Sequence, residues 1–73
     1  MSNKYILYWI NESNNETIEI AKITDKQFVF GYIKQFIATQ KGTIGNYVVL
    51  EKDKYTQYKN GDFIFRLYKL KEN

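Results

Sequence analysis

Three groups of residues in this 73-residue chain have types and spacings that could do chemistry. The first is the loop Lys41-Gly42-Thr43-Ile44-Gly45-Asn46, with two glycines and a lysine. A phosphate cradle has that make-up, but it precedes a helix, so that the helix N-terminus meets the anion. Here the loop follows a helical pattern, and a helix cap with a turn is the expected role. The second group is Glu51 and Asp53, two residues apart on a strand-like run. Two carboxylates so spaced can hold a hard cation or divide acid and base roles. Lys52 and Lys54 flank them at a strand end, which points to a solvated charged turn.

The third group interleaves bases with aromatics: Lys52, Lys54, Tyr55, Tyr58, Lys59, Arg66, Tyr68, Lys69 and Lys71. Aromatic faces stack nucleobases while Lys and Arg hold phosphates, so this is the pattern of single-strand nucleic-acid binding. Glu51, Asp53, Asp62 and Glu72 lie in or beside the stretch and dilute its charge. Dedicated binders concentrate positive charge more strongly, and the Gly-and-aromatic signature of an RNA-recognition motif is missing.

What the chain lacks narrows the chemistry further. It has no His and no Cys. That removes the imidazole base, the thiolate nucleophile, the Ser–His pair, disulfides and ordinary zinc sites. The expectation is a non-enzyme, with no catalytic, cofactor or metal site. Net charge is +3, with Arg66 the only arginine. This mild basicity permits weak attraction to nucleic acid and argues against an acidic mimic of it. Lys, Asn, Ile, Phe and Tyr make up 38 of the 73 residues, and all have codons rich in A and T. An AT-rich gene therefore explains part of the Lys and Tyr content without reference to function.

The length allows one domain, 1–73, with one modest core. A chain this size buries only roughly 60% of its unfolded surface. With no disulfide or metal, aromatic packing or self-association is left to reinforce it. No signal peptide and no membrane span are expected, and the location is read as cytoplasmic. The sequons at Asn11-Glu12-Ser13 and Asn15-Glu16-Thr17 are then chance matches in a polar turn.

The elements that must position any site follow from hydrophobic period. Residues 4–11 read as a strand apolar on both faces, with Tyr5, Leu7 and Trp9 on one and Ile6, Tyr8 and Ile10 on the other. Such a strand belongs in the middle of a sheet. Which of its faces is core, and hence whether Trp9 is core or interface, is open from the pattern alone. Residues 17–24 form a second strand, joined to the first by a hairpin. At Thr24-Asp25-Lys26-Gln27 the period changes, with Thr24 as N-cap and Gln27 completing a capping box. Apolar residues then recur at Phe28, Val29, Tyr32, Ile33, Phe36 and Ile37, which predicts a helix over 25–41. Gly31 inside it would allow close approach to the sheet, and Gly42 would terminate it in the left-handed position. Strands at 47–52, a weak one at 55–59 and a last one at 62–70 complete the chain, with a type I′ turn at Asn60-Gly61 and a frayed 71–73.

The expected fold is thus α+β: a small antiparallel sheet of four to five strands with one helix on one face, in the order β-β-α-β-β-β. One helix leaves the other face open. On the last strand Phe63, Phe65 and Leu67 are assigned to the core, which leaves Ile64, Arg66, Tyr68 and Leu70 on the open side. Tyr, Arg and aliphatic residues together have the composition of an interface core. The leading expectation is a protein-interaction module that meets its partner through Tyr58, Arg66, Tyr68 and Lys69. A small accessory protein of a phage or other mobile element, inhibiting a host defence protein, fits the size and composition. Nucleic acid on the same face is the alternative, and a homodimer closing that face on itself is a third reading.

Overall fold

A computed structural model of the chain describes residues 3–70. Met1, Ser2 and the 71–73 tail lie outside the described residues. Five strands and one helix follow in the predicted order: β1 (Tyr5–Asn11), β2 (Glu16–Ile23), a 3-10 turn (Lys26–Phe28), α1 (Val29–Thr39), β3 (Tyr47–Glu51), β4 (Tyr55–Asn60) and β5 (Phe63–Lys69). All neighbours are antiparallel, and the spatial order is β2-β1-β5-β4-β3. β1 is therefore internal, as its two apolar faces require. β4 is a full strand paired on both sides, not a weak one, and runs to Asn60.

β2 and β3 are the two edges, so the segment between them must cross the sheet. α1 makes that crossing and packs chiefly on β2 and β5. Val29, Ile33 and Ile37 are fully buried and spaced by four, one row along the helix. They meet Leu7 of β1, Ile23 of β2, Tyr58 of β4, and Phe65 and Leu67 of β5 in one cluster. Trp9 belongs to this side, partly buried against the core, with its ring 5.0 Å from that of Phe36. A helix is about 10 Å across and five strands span about 19 Å, so one helix leaves part of the sheet bare. The buried stripe is accordingly narrower than predicted: Phe28 and Tyr32 are exposed, as is Phe30 beside them.

The helix ends differ from the sequence expectation in instructive ways. Asp25, not Thr24, is the N-cap: its backbone is extended and its Oδ1 accepts from the Gln27 amide at 3.1 Å. A carboxylate two residues before an amide closes this turn locally, so the four-residue box is not used. At the other end Lys41 takes the left-handed conformation, φ 57°, in place of Gly42. The Lys41 amide donates to Ala38 O at 3.0 Å and the Gly42 amide to Ile37 O at 2.9 Å, the Schellman pairing. Gly42 is needed for space: an added Cβ would lie 2.8 Å from the Phe63 ring and 2.9 Å from Ile37. Gly31, by contrast, has open space around it and makes no close approach to the sheet.

The β4–β5 turn is also shifted. Asn60 still pairs with Phe63, so Gly61 and Asp62 form the two-residue turn. Among described non-helical turn residues there, Gly61 alone has positive φ, 60°. That is the type II′ pattern, with Gly first, not type I′. Asn60 is freed for another task. Fully buried, it accepts from the Gly45 amide through Oδ1 and donates to Gly45 O through Nδ2, both at 2.8 Å.

Candidate functional site

The registers place the open-face side chains in three rows across the sheet. One runs Lys22, Ile6, Tyr68, Tyr55; the next Glu19, Tyr8, Arg66, Gln57, Leu50; the third Thr17, Ile10, Ile64, Lys59, Val48. Tyr8 and Tyr68 pack edge to face, 5.6 Å between centroids at 81°. Tyr55 and Tyr68 are 5.1 Å apart at 45°. The Arg66 guanidinium lies over the Tyr55 ring, 4.8 Å from its centroid, and Arg66 Nε donates to Gln57 Oε1 at 3.0 Å. Both contacts favour the same guanidinium position: the ring face attracts the cation, and the amide oxygen fixes its rotation.

This cluster also shelters aliphatics. Ile6 and Ile64 sit on the uncovered side yet are 7% and 8% exposed. Long and aromatic neighbours fold over them, so much of the apolar content of this face is self-covered. What remains outward at its centre is a half-buried patch of three tyrosines and one arginine, with Val48 and Leu50 bare at the β3 edge.

Of the four residues expected to meet a partner, the structure unites two and separates two. Arg66 and Tyr68 lie together on the open face. Tyr58 pairs with Phe65 and points to the helix side, 4% exposed, its ring 5.4 Å from Phe30. Burial pushes its hydroxyl above the ordinary tyrosine range, and the charges of Glu51 and Tyr5 add to the effect. Lys69 pairs with Tyr5 and shares the Leu67 side, exposed at the strand end. Both corrections rest on strand parity: 58 and 69 are odd steps from 55 and 66, and odd steps change face. The same parity joins Tyr55 to Gln57, and the β1–β5 ladder adds Tyr8. The sequence pattern offers Tyr55 as aromatic surface in the basic-aromatic stretch but gives no sign of Tyr8 or Gln57 at the patch, because strand order is not written in any one segment.

The basic-aromatic stretch of 52–71 divides likewise. Tyr55, Lys59, Arg66 and Tyr68 face one way, Tyr58 and Lys69 the other; Lys52 and Lys54 sit at the β3–β4 turn, and Lys71 lies outside the described residues. In the glycine loop, the Gly42 and Gly45 amides are both spent on internal acceptors. Glu51 meets Lys26 at 3.6 Å, an exposed ion pair beside the charged turn. Among the described residues no three His, Cys, Asp or Glu side chains converge on one point. No described helix is long and apolar enough to cross a membrane.

A hollow of about 620 Å³ lies between α1 and β2 and is lined by Ile23, Thr24, Phe28, Gly31, Tyr32 and Gln35 among others. It is shallow and open, and its one charged lining residue is Lys22.

Comparison of the chain with protein-family models, curated proteins and solved structures found no match.

Proposed function

We propose that the protein is a non-enzymatic interaction module that binds a protein partner on its open sheet face, through Tyr8, Tyr55, Arg66 and Tyr68. The observation that carries this reading is the Arg66 guanidinium held between the Tyr55 ring and Gln57. Tyr and Arg are the side chains that anchor interface centres. Here they are already ordered by their neighbours, so binding costs little further rotamer entropy. The partner we favour is a host protein that the module inhibits, in keeping with its small size and AT-rich composition. A phage or mobile-element source and a cytoplasmic setting belong to the same reading.

The test compares wild type with Arg66→Glu/Tyr68→Ala in affinity capture from host lysate. Circular dichroism checks that the variant is folded. A protein retained by wild type and lost from the variant supports the face; equal capture by both locates the partner elsewhere.

Nucleic acid is the second reading, favoured by Lys22, Lys59 and Arg66 sharing this face with three tyrosines. It predicts binding to single-stranded DNA or RNA that weakens steeply with salt. Against it, the tyrosine rings pack on one another and on Arg66, which leaves few free faces for bases. Titration with single-stranded DNA, duplex DNA and RNA at low and physiological salt separates the two: binding that survives physiological salt favours nucleic acid.

A further inference from the structure

The two edges of the sheet are built differently. β2 carries Glu16, Glu19 and Lys22, and its pairing with β1 is broken by a bulge between Leu7 and Tyr8. Charges and a bulge are the devices that keep an edge from pairing with another chain. β3 has neither. It pairs with β4 on one side only, in unbroken register. Its centre is Val48, Val49 and Leu50, exposed at 65%, 50% and 45%. Three consecutive apolar residues leave both faces of the strand bare, and its outer N–H and C=O groups have no neighbouring strand among the described residues.

The β3 sequence is complementary to itself. A two-fold axis normal to the sheet pairs residues of like face, so the register must be centred on a residue. Centred on Val49, it sets Val49 against Val49 of the second copy and Val48 against Leu50 in both directions. Glu51 then faces Tyr47 and Lys52 faces Asn46, so no like charges meet. Centring on Leu50 would set Val49 against Glu51 and Val48 against Lys52. Centring on Val48 would set Leu50 against Asn46. Only the Val49 register matches all three apolar residues.

We infer that β3 is a self-association edge, pairing antiparallel with β3 of a second copy about a two-fold axis at Val49. The product is one continuous ten-stranded sheet. Both helices lie on one side of it and both Tyr8–Tyr55–Arg66–Tyr68 patches on the other. The dimer leaves each patch open and makes the assembly bivalent, in contrast to a dimer that closes the open face.

Sedimentation equilibrium over a range of protein concentrations tests this, with circular dichroism on each variant. The wild-type mass should climb from 8.8 kDa towards twice that value as concentration rises. Val49→Lys puts two like charges across the axis and should hold the mass at the monomer value. Val48→Glu/Leu50→Lys sets opposite charges against each other across the axis, with Val48→Glu also beside Lys59, and should still dimerise. Wild type that stays monomeric throughout would overturn the proposal. So would Val49→Lys that dimerises like wild type, or a double variant as monomeric as Val49→Lys.

Discussion

Alanine should act with opposite sign at two glycines near the ends of α1. At Gly31 an added Cβ finds no heavy atom within 4 Å. Only the backbone preference changes there, and a helical Gly→Ala is worth about 0.5–1 kcal/mol in favour of folding. At Gly42 the same atom would lie 2.8 Å from Phe63 Cε2, 2.9 Å from Phe63 Cζ and 2.9 Å from Ile37 Cγ2. Carbon atoms rest about 3.5–4.0 Å apart, so a neighbour must retreat by more than half an ångström. Neither has room to do so cheaply. Ile37 is fully buried, and the Phe63 ring is stacked 6.3 Å from Phe65 in the core. Overpacking of this kind costs about 1–3 kcal/mol. The two variants should thus differ by about 1.5–4 kcal/mol, and each kilocalorie shifts Tm by about 4–8 °C in a domain this small. Thermal and urea unfolding followed by circular dichroism, with unchanged urea m-values, would read the difference. Gly42→Ala as stable as wild type would refute the close-approach argument. Gly31→Ala as destabilised as Gly42→Ala would refute the distinction between the two sites.

Other features carry their own tests. Asn60→Ala removes both ties to Gly45 and leaves a buried hole, so the urea midpoint should fall by the equivalent of about 2–4 kcal/mol. Tyr47 buries a hydroxyl that has no hydrogen-bond partner among the described residues. Tyr47→Phe should therefore be neutral or stabilise by about 1 kcal/mol, measured by the same unfolding curves. Burial raises the Tyr47 and Tyr58 hydroxyls above 10.0, so above that pH the unfolded chain loses these protons first. Stability is intact below pH 10 and falls as pH rises from there towards the raised folded-state values. Stability measured between neutral and strongly alkaline pH should show that decline, and Tyr47→Phe should lessen its slope.

The element order was legible because each segment declares its own period. Residues 4–11 are apolar on both faces, 29–37 repeat every three or four, and Gly61 marks a turn; all three became the elements they imply. Local competition was less legible. Thr24 and Asp25 are both good caps, and only the geometry of the 3-10 turn selects Asp25. Gly42 was read for its freedom of φ, whereas the Phe63 ring, distant in sequence, dictates it for lack of space. The open-face tyrosine–arginine cluster was half legible for a related reason. Arg66 and Tyr68 share a strand, so alternation puts them together. Tyr8 and Tyr55 reach them only through the β1–β5 and β4–β5 ladders, which are matters of strand order.

That strand order also constrains how the chain folds. β1 lies between β2 and β5, so the first strand of the chain pairs directly with the last, Tyr5 opposite Lys69 and Ile10 opposite Ile64. The hairpins β1–β2, β3–β4 and β4–β5 are local and can close quickly, but nothing within them joins the first to the other two. The sheet becomes whole only when a loop spanning most of the chain closes, and that entropy is lost before the β1–β5 ladder returns any of it. Disturbances in the central ladder, at Leu7 or Leu67, should therefore slow folding more than equal losses at β3. On a ribosome the N-terminal hairpin must wait beside α1 with one flank of β1 unpaired until the last strand emerges.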